Sequence, residues 1–377
     1  MLSFWEKDIF KPNYDFLIIG SGFTGLWLAS FLKKKNPNLT IAILERGTLP
    51  SGASTKNAGF ACFGSPSELL QNVQEIGWEK SLEMTSKRYE GIQIIKQNFG
   101  KTIDYNPCGA SELFSDDDFF EKTTQNLNEL NKELSGIVGH PNHFFVDQNI
   151  ISDSQFEGFK YAISNQAEAS IHSGKLFYEL YKNLVGQDVK FFFGTEVESI
   201  ETETKTARVY TKNLGEFSAS HVSICTNAFS NLLLPEQKIK PGRGQVLITK
   251  PIQNLAFDKT FHFDKGYYYF KNIGDRVLLG GGRNLDIKGE TTEQFGTTDI
   301  ILKQLEKYLS DFILPHRNFE IDYSWSGIMA FNEARTPFSK ILKPNLSACV
   351  CMNGMGVALA PFLAKELAET ISNSQTN

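Results

Sequence analysis

The hydrophobic pattern near the start of the chain changes its period twice within a short stretch. Residues 16–19 are consecutive apolar residues, and residues 26–35 repeat apolar positions at helical spacing until Pro37 and Asn38 interrupt them. A second apolar run follows over residues 41–44. Uninterrupted apolar runs of this length are typical of strands in a sheet that is covered on both faces. The pattern therefore predicts a β-α-β unit.

The rest of the chain alternates between helical spacing and strand-like runs. Ser65, Pro66 and Glu68 predict a capping box at the start of a helical region that extends to Asn98. Three further helices are predicted over residues 173–185, 300–309 and 357–371. Strands are predicted over residues 189–193, 197–201, 207–211, 222–226, 245–249, 267–270, 276–280 and 347–352, with a hairpin turn at Asn213-Leu214-Gly215. Because no repeat, low-complexity segment or clean linker separates these blocks, we expect two interleaved domains.

Composition and charge narrow the class of protein. The chain has 377 residues, enough for two domains, and its 31 Phe favour a deep core and an apolar ligand pocket. The net charge of -5 is spread without a basic stripe, which argues against a nucleic-acid partner. No apolar run approaches the roughly 20 residues of a membrane-spanning helix, and the segment after Trp5 lacks a signal-peptide core. We therefore expect a cytoplasmic protein without a membrane span.

The cysteines and histidines do not form a recognisable metal or disulfide pattern. The five cysteines contain no C-x-x-C pair, and their odd number does not suit a disulfide framework. We expect them to be reduced and mostly buried, as is usual in the cytoplasm. His140 and His143 have ligand-like spacing, but Pro141 lies between them and no cysteine is near, so we expect no metal site.

Gly20, Gly22 and Gly25 complete the spacing G-x-G-x-x-G directly after the first predicted strand. The first glycine permits a tight turn, the second lets the backbone approach a pyrophosphate, and the third lets the helix pack closely on the strand. The helix N-terminus offers free N–H groups to phosphates. Glu45 ends the second strand, where a carboxylate binds ribose hydroxyls. Because strand, helix, strand and acid occur in this order, the segment predicts a dinucleotide site rather than an ordinary turn.

The segment after Glu45 favours FAD over a nicotinamide cofactor. Residues 47–65 are rich in glycine and small polar residues, which suits a path along a pyrophosphate and under a flavin ring. A surface loop accounts for residues 51–55 but not for the apolar stretch Ala58-Gly59-Phe60-Ala61.

Four stretches together resemble the D-amino-acid oxidase superfamily, in the branch with glycine oxidase, sarcosine oxidase, D-amino-acid dehydrogenases and γ-glutamylputrescine oxidase. They are the glycine fingerprint with Glu45; Gly52-Ala53-Ser54 with Asn57-Ala58-Gly59; Arg243-Gly244-Gln245; and Trp325-Ser326-Gly327-Ile328 paired with residues 353–361. The likeness covers nearly the whole chain. It implies an FAD-dependent oxidoreductase that takes a hydride from a carbon next to an amine nitrogen.

The resemblance also implies an α/β fold, α+β overall, in which a Rossmann-like FAD-binding domain is interleaved with a mixed-sheet substrate domain. We expect the FAD-binding domain to comprise residues 1–75, 165–235 and 321–377, and the substrate domain residues 76–164 and 236–320. Val197 is expected near the adenine, and the last helix is expected to begin beneath the flavin, where its N-terminus stabilises negative charge on the reduced ring. The expected cofactor residues are Gly20, Gly22, Thr24, Gly25, Glu45, Arg46, Ser54, Asn57, Ala58, Gly59, Val197, Thr226, Asn227, Ala228, Gly327, Gly354, Met355, Gly356, Val357 and Ala358.

On the substrate side, the resemblance places Tyr268 over the flavin, facing opposite to its two tyrosine neighbours on the strand. Packing at the edge of a core is the alternative for each of these tyrosines. Two positions depart from the family. Met329 stands where glycine oxidase has an arginine for the substrate carboxylate, and Leu278 stands where monomeric sarcosine oxidase has an oxygen-activating lysine.

These departures leave several alternatives open. Arg243 and Arg283 are candidate cations for a substrate carboxylate, and an ion pair on the surface or between domains is the alternative for each. We expect non-covalent FAD, because Cys349 and Cys351 precede the last helix and no tethering cysteine is evident. The expected substrate is a small amine or amino acid, and the electron acceptor is oxygen or a redox carrier. The rival functions are a nicotinamide-dependent Rossmann dehydrogenase and a non-catalytic FAD-binding module.

Overall fold

The computed structural model describes residues 3–10 and 13–375, which form two compact units. The first unit comprises the described residues of Met1–Thr55, Ser173–Gly242 and Ile328–Asn377. The second comprises Lys56–His172 and Arg243–Gly327. Each unit is therefore built from separated segments of the chain. The assignment of FAD to one domain and substrate to the other stays a prediction.

The described residues contain strands and helices in alternating blocks. The strands are β1 (Asn13–Ile19), β2 (Ile41–Leu44), β3 (Phe60–Ala61), β4 (Ala110–Phe114), β5 (Phe145–Val146), β6 (Tyr161–Asn165), β7 (Ala169–Ser170), β8 (Lys190–Phe192), β9 (Val197–Thr202), β10 (Ala207–Thr211), β11 (Gly215–Ile224), β12 (Lys240–Thr249), β13 (Thr260–Phe263), β14 (Tyr268–Ile273), β15 (Arg276–Gly281), β16 (Ile321–Phe331), β17 (Phe338–Lys343) and β18 (Leu346–Val350). The helices are α1 (Phe4–Ile9), α2 (Phe23–Lys35), α3 (Pro66–Ile76), α4 (Trp78–Phe99), α5 (Asp117–Gln125), α6 (Leu127–Val138), α7 (Ile150–Asp153), α8 (Ser173–Gly186), α9 (Asp299–Tyr308) and α10 (Gly356–Gln375).

The sheet of the first unit is parallel at its centre. Its strands are ordered β17-β18-β11-β1-β2-β8, and the five strands from β18 to β8 run parallel to their neighbours. β17 is antiparallel to β18, and β10 and β9 extend from β11 as antiparallel strands. The four residues of β2 are all buried, as expected for a covered sheet, and α2 packs against α10. A parallel sheet with packed helices confirms the predicted Rossmann-like fold.

A second sheet has the order β16-β12-β15-β14-β13-β4-β6-β5. β13 is parallel to β4, whereas β12, β15, β14 and β13 are successively antiparallel, so the sheet is mixed as predicted. In the second unit, Ile301 and Leu305 of α9 are fully buried in one apolar cluster with Phe270 of β14. Strands β3 and β7 form a separate antiparallel pair in the same unit.

The apolar pattern predicted the type of these elements better than their ends. The predicted helical region 65–98 is two helices, because Gly77 has φ +84° and interrupts it. The capping box is wrong: Ser65 makes no side-chain capping bond to α3, and Glu68 instead pairs with Arg88 at 3.1 Å. The hairpin between β10 and β11 is confirmed by the pairing of Thr211 with Gly215. Helices α5 and α6 were not predicted.

Within the described ranges, no helix combines the length and the apolar composition that crossing a membrane requires.

Candidate functional site

Four neighbouring strands of the parallel sheet are each followed by residues predicted to bind the cofactor. Gly20 follows β1, Glu45 follows β2, Thr226 lies just after β11, and Gly354 lies just after β18. The carboxyl ends of parallel strands lie at one edge of a sheet, and this edge is where open α/β sheets bind ligands. The topology of the first unit therefore assembles one candidate nucleotide site from segments far apart in the sequence.

The glycine turn after β1 has the geometry of a phosphate-binding turn. Gly20 has φ +103°, and a Cβ there would lie 2.7 Å from the carbonyl oxygen of Cys225. A Cβ on Gly25 would lie 2.1 Å from the carbonyl oxygen of Gly20, so the helix packs too closely on the turn for any side chain. Gly22 is the N-cap of α2 and makes no side-chain cap bond, and Phe23 N donates to Ser54 Oγ at 2.9 Å. Because first-turn N–H groups have no acceptor within the helix, this cradle fits a pyrophosphate.

Glu45 is buried and held in one orientation at the end of β2. Its Oε2 accepts hydrogen bonds from the backbone N and the Oγ of Ser21 at 3.1 and 2.8 Å. Its Oε1 accepts from Gly47 N at 3.0 Å and from Ser51 Oγ at 3.2 Å. The next residue, Arg46, is exposed, and its guanidinium lies 3.6 Å from the ring centroid of Phe229. The carboxylate is thus oriented beside the glycine turn, as a ribose ligand must be.

Asn227 connects the ends of two strands. It has φ +46°, and its Oδ1 accepts hydrogen bonds from Cys351 N at 3.1 Å and Met352 N at 3.3 Å. Its neighbour Thr226 shares a hydrogen bond with the Ser230 hydroxyl at 2.8 Å, and Ala228 is fully buried. The amide of Asn227 therefore holds the chain just before the C-terminal glycine turn.

The C-terminal turn opens α10 as predicted. Gly354 is exposed with φ +82°, Met355 N donates to Met352 O at 2.9 Å, and the helix begins at Gly356. The remaining predicted residues of this segment, Val357 and Ala358, are half-buried and buried.

Met329 lies beside the C-terminal turn. A Cβ on Gly354 would lie 3.7 Å from the Met329 Sδ. At the position where the resemblance implies a substrate-binding arginine, the structure therefore presents an uncharged thioether next to a glycine turn.

Three of the predicted cofactor residues are buried and do not present an exposed polar side chain to a ligand. Val197 is 7% exposed and lies in the apolar core of the first unit, so a ligand can reach its backbone but not its side chain. Thr24 is buried in the first turns of α2. Gly327 is buried in β16, where the neighbouring Trp325 donates from Nε1 to Lys56 O at 3.0 Å.

The residues Asn57, Ala58 and Gly59, called here the 57–59 turn, belong to the second unit. Gly59 N donates to Asn57 Oδ1 at 2.8 Å, and Ala58 is buried. Gly59 has φ +73°, and a Cβ there would lie 2.3 Å from Ile171 O. Glycine is required by both the backbone conformation and the close approach.

Tyr268 does not lie where the resemblance placed it. Its side chain does face opposite to Tyr269, as the strand period requires. However, Tyr268 is 1% exposed and packs in the apolar core, with its ring stacked on Phe263 at 5.0 Å and against Tyr308 at 4.7 Å. The assignment of Tyr268 over the flavin is therefore corrected. Tyr269 lies on the other face of β14, where its ring contacts Phe60.

The two candidate arginines have different surroundings. Arg243 donates from Nε and NH2 to the two carboxylate oxygens of Glu290 at 2.8 and 2.7 Å, so it forms an ion pair, but a buried one within the second unit rather than one on the surface or between domains. Arg283 is half-buried at the end of β15, and burial lowers the pKa of its guanidinium. The role of Arg283 as a cation for a substrate carboxylate stays a prediction.

Buried charged side chains that the sequence did not single out bind the backbone of residues 59–67. Lys271 donates to Gly59 O, Glu168 accepts from Phe63 N at 2.7 Å and Gly64 N at 3.1 Å, and Arg88 donates to Phe63 O at 3.0 Å. Glu112 accepts from Ser67 N at 3.0 Å. Burial raises the pKa of both Glu112 and Glu168 to about 7. For Glu112 in β4 and Lys271 in β14, a charged residue in an otherwise apolar strand was the available signal.

All five cysteines are free thiols, and four of them are buried. Burial raises the pKa of Cys349 to about 12 and that of Cys351 to about 11. Neither thiol is activated as a thiolate nucleophile.

Comparison with known proteins yields consistent matches over almost the entire chain. A family model described as DAO, FAD dependent oxidoreductase, matches residues 15–370. The chain is 23% identical over 376 residues to the probable oxidoreductase OrdL of Haemophilus influenzae, covering 95% of this chain and 82% of that protein. It is 21% identical over 377 residues to glycine oxidase of Bacillus subtilis, covering 97% and 95%. The crystal structure of L-proline dehydrogenase from P. horikoshii has the same fold, with a TM-score of 0.76 at 18% identity, covering 96% of this chain and 94% of that chain.

Proposed function

Because the chain belongs to the DAO family of FAD-dependent oxidoreductases, we propose that it oxidises a carbon–nitrogen bond of a small amine or amino acid. The description of the family names FAD as the cofactor, which disfavours the nicotinamide-dependent alternative. The observation that carries the proposal is the strand edge at which Gly20, Glu45, Thr226 and Gly354 follow four neighbouring parallel strands. That edge combines a dinucleotide cradle with a second glycine-opened helix, α10, which a simple nucleotide module does not need.

FAD supplies the hydride acceptor, and the chain supplies binding, orientation and electrostatics. The glycine turn and the first N–H groups of α2 hold the pyrophosphate. The Glu45 carboxylate would accept hydrogen bonds from the ribose hydroxyls of bound FAD. The N-terminus of α10 carries partial positive charge and favours the reduced state of the ring. A neutral, positioned amine is sufficient for hydride transfer, so the residues around it need only orient it and exclude water.

The substrate class follows from Met329. A carboxylate on the reacting carbon requires a cation, and the forked hydrogen bonds of arginine are the usual solution. The Met329 side chain beside Gly354 cannot supply one, and Arg243 is occupied by Glu290. We therefore propose that the substrate is an amine without a carboxylate at the reacting carbon, of which γ-glutamylputrescine is an example. An α-amino acid is accepted only if Arg283 binds its carboxylate.

The finer properties of the proposal concern the flavin linkage, the acceptor and the location. Buried thiols of raised pKa support non-covalent FAD, which acid precipitation releases into the supernatant. Leu278 in place of an oxygen-activating lysine supports slow reaction with oxygen and a redox carrier as acceptor. Free, buried cysteines suit a cytoplasmic location.

The test is anaerobic reduction of the purified yellow protein by a panel of glycine, sarcosine, small D-amino acids, N-methyl amino acids and polyamine derivatives. Bleaching of the flavin by amines without an α-carboxylate is the expected result. Efficient reduction by glycine or sarcosine would overturn the substrate class but leave C–N oxidation intact. A yellow protein that no member of the panel reduces would favour the non-catalytic FAD-binding module.

A further inference from the structure

Lys271 is a buried cation without a carboxylate partner among the described residues. It lies on β14 and is 4% exposed. Its Nζ donates to the carbonyl oxygens of Gly59 and Ile171, each at 3.0 Å. Taking an ammonium group out of water is costly when no anion compensates it. The ammonium also lies 5.9 Å from the ring centroid of Phe60. Two backbone carbonyls and an aromatic ring do not replace a carboxylate partner, so the burial of Lys271 costs stability, and its contacts indicate what it does.

The two carbonyls belong to segments that are already joined. Ile171 N donates to Gly59 O at 2.8 Å, and the adjacent strands β3 and β7 pair Phe60 with Ser170. Lys271 adds a third connection, from the sheet to both segments. It fixes the position of the 57–59 turn relative to β14, because the ammonium bonds directly to the last residue of that turn.

The face of β14 that carries Lys271 is the face opposite the apolar core. Tyr268 and Phe270 point into the core of the second unit, whereas Tyr269 and Lys271 point to the other side. Lys271 is the cross-strand partner of Leu278 on β15. Lys271 therefore lies next to Leu278 on the neighbouring strand. Leu278 is the position at which the resemblance would place an oxygen-activating lysine.

We infer that Lys271 is a positioning residue for FAD binding: it fixes the 57–59 turn, to which the resemblance assigns a role in binding FAD, and it places a positive charge beside that turn. The inference rests on the proposed function, because it is the resemblance that assigns the 57–59 turn to FAD. An ammonium has three N–H donors, and the carbonyls of Gly59 and Ile171 use two of them. Lys271 thereby does two things that can be separated: it orients backbone, and it carries charge.

The charge of Lys271 titrates in an accessible range. Burial lowers the pKa of its ammonium to about 8. The facing titratable groups are Cys108, His262 and Tyr269, and the carboxyls of Glu112 and Glu168 bind the adjacent backbone at Ser67 and Phe63. Burial raises the pKa of both carboxyls to about 7, so the transition assigned to Lys271 is the one that its replacement removes. Burial raises the pKa of Cys108, lowers that of His262 to about 4 and raises that of Tyr269 to about 12.

The experiment compares the FAD-loaded protein with Lys271→Met and Lys271→Arg, and with Lys250→Met as the control. Met is of similar length without charge or donors, Arg keeps the charge, and Lys250 is an exposed lysine paired with Glu320. We expect Lys271→Met to raise the dissociation constant of FAD about tenfold or more, as for a lost charged hydrogen bond. Lys271→Arg should recover most of the affinity, and Lys250→Met should match the wild type.

The second readout is the visible flavin spectrum and midpoint potential of the holoenzyme as a function of pH. The wild type should show a one-proton transition near the pKa of about 8, with the potential falling as the ammonium loses its charge. Lys271→Met and Lys271→Arg should both lack the transition, because neither side chain titrates in this range.

The outcomes separate this inference from the proposed function. A wild-type protein that binds no FAD would overturn both. A wild-type holoenzyme that amines reduce, but that shows no transition near this pH, would overturn the role of Lys271 alone. The same conclusion would follow from wild-type affinity in Lys271→Met. If the Met variant does not fold, the comparison of the wild type with Lys271→Arg decides the question, because a transition that persists in Lys271→Arg belongs to Glu112 or Glu168 and not to Lys271.

Discussion

Arg243 and Glu290 form a bidentate ion pair in which the carboxylate is fully buried. The side chain of Arg243 is 11% exposed and that of Glu290 is 0% exposed. Arg243 N also donates to Glu290 O at 2.7 Å, so the pair joins the start of the second-sheet strand β12 to the loop before α9 through side chain and backbone. A guanidinium used in this way is not available to a substrate.

Removing this arginine should therefore affect stability rather than substrate binding. Arg243→Met leaves the buried Glu290 carboxylate without a partner, and we expect the free energy of unfolding to fall by about 3–5 kcal/mol. Urea denaturation followed by circular dichroism measures this loss. The matched control is Arg276→Met, whose partner Asp322 is partly exposed, and its cost should be about 0–1 kcal/mol. Equal losses in the two variants would contradict the structural role of Arg243.

If the panel of amines identifies a substrate with a carboxylate, replacing Arg283 should affect substrate binding rather than stability. Arg283→Met would then remove a charged hydrogen bond of roughly 1.5–3 kcal/mol, raising KM about ten- to a hundredfold for that substrate. Reduction by amines without a carboxylate should not change, and neither should FAD binding. Steady-state kinetics with one substrate of each kind provides the measurement. A parallel loss for both substrates would show that Arg283 does not recognise the carboxylate.

Glu45→Ala should sharply weaken FAD binding. The variant loses the ribose hydrogen bonds and also the four protein hydrogen bonds that the carboxylate accepts from Ser21, Gly47 and Ser51. We expect the dissociation constant of FAD to rise about ten- to a hundredfold. Titration of the apoprotein with FAD, followed by flavin fluorescence, measures it. Glu216→Ala, on the exposed part of β11 in the same unit, is the control and should bind FAD normally. An unchanged constant in Glu45→Ala would refute the ribose assignment.

Glu168 should make stability depend on pH. Burial raises the pKa of this carboxyl from 4.5 to about 7. In the unfolded chain it ionises near 4.5, so between these two values the folded state binds more protons than the unfolded state. Its contribution to stability is therefore complete below the lower value and is lost as pH rises through the upper one. The loss is on the order of 3 kcal/mol.

Glu168→Gln tests this pH dependence directly. Gln cannot ionise, but its carbonyl oxygen can still accept the hydrogen bonds from Phe63 N and Gly64 N. Urea unfolding at about pH 5 and about pH 8 should show a smaller difference in the variant than in the wild type. Glu112 remains in both proteins and leaves part of the slope. The exposed Glu129→Gln serves as the control. An identical slope in wild type and Glu168→Gln would show that Glu168 is ionised in the folded protein throughout.

The sequence by itself determined the features that depend on short-range constraints. A tight turn, a close helix–strand contact and a strand-ending acid each impose a residue type at a set spacing, so Gly20, Gly25 and Glu45 were readable without coordinates. The start of α10 after Gly354 was readable for the same reason. The apolar runs of β1 and β2 indicated a covered sheet because a strand buried on both faces has no polar alternation.

Only the tertiary structure decided what depends on which neighbour a strand has and which face meets the core. The period of two shows that Tyr268 and Tyr269 point to opposite faces, but not that Tyr268 faces the core. The pairing of Arg243 with Glu290 and the contact of Lys271 with Gly59 join residues 47 and 212 positions apart. Such partners are selected by strand order and packing, which no local pattern encodes. The surroundings of Tyr268, Arg243 and Lys271 therefore required the structure. The glycine turn and Glu45 could be predicted from the local sequence.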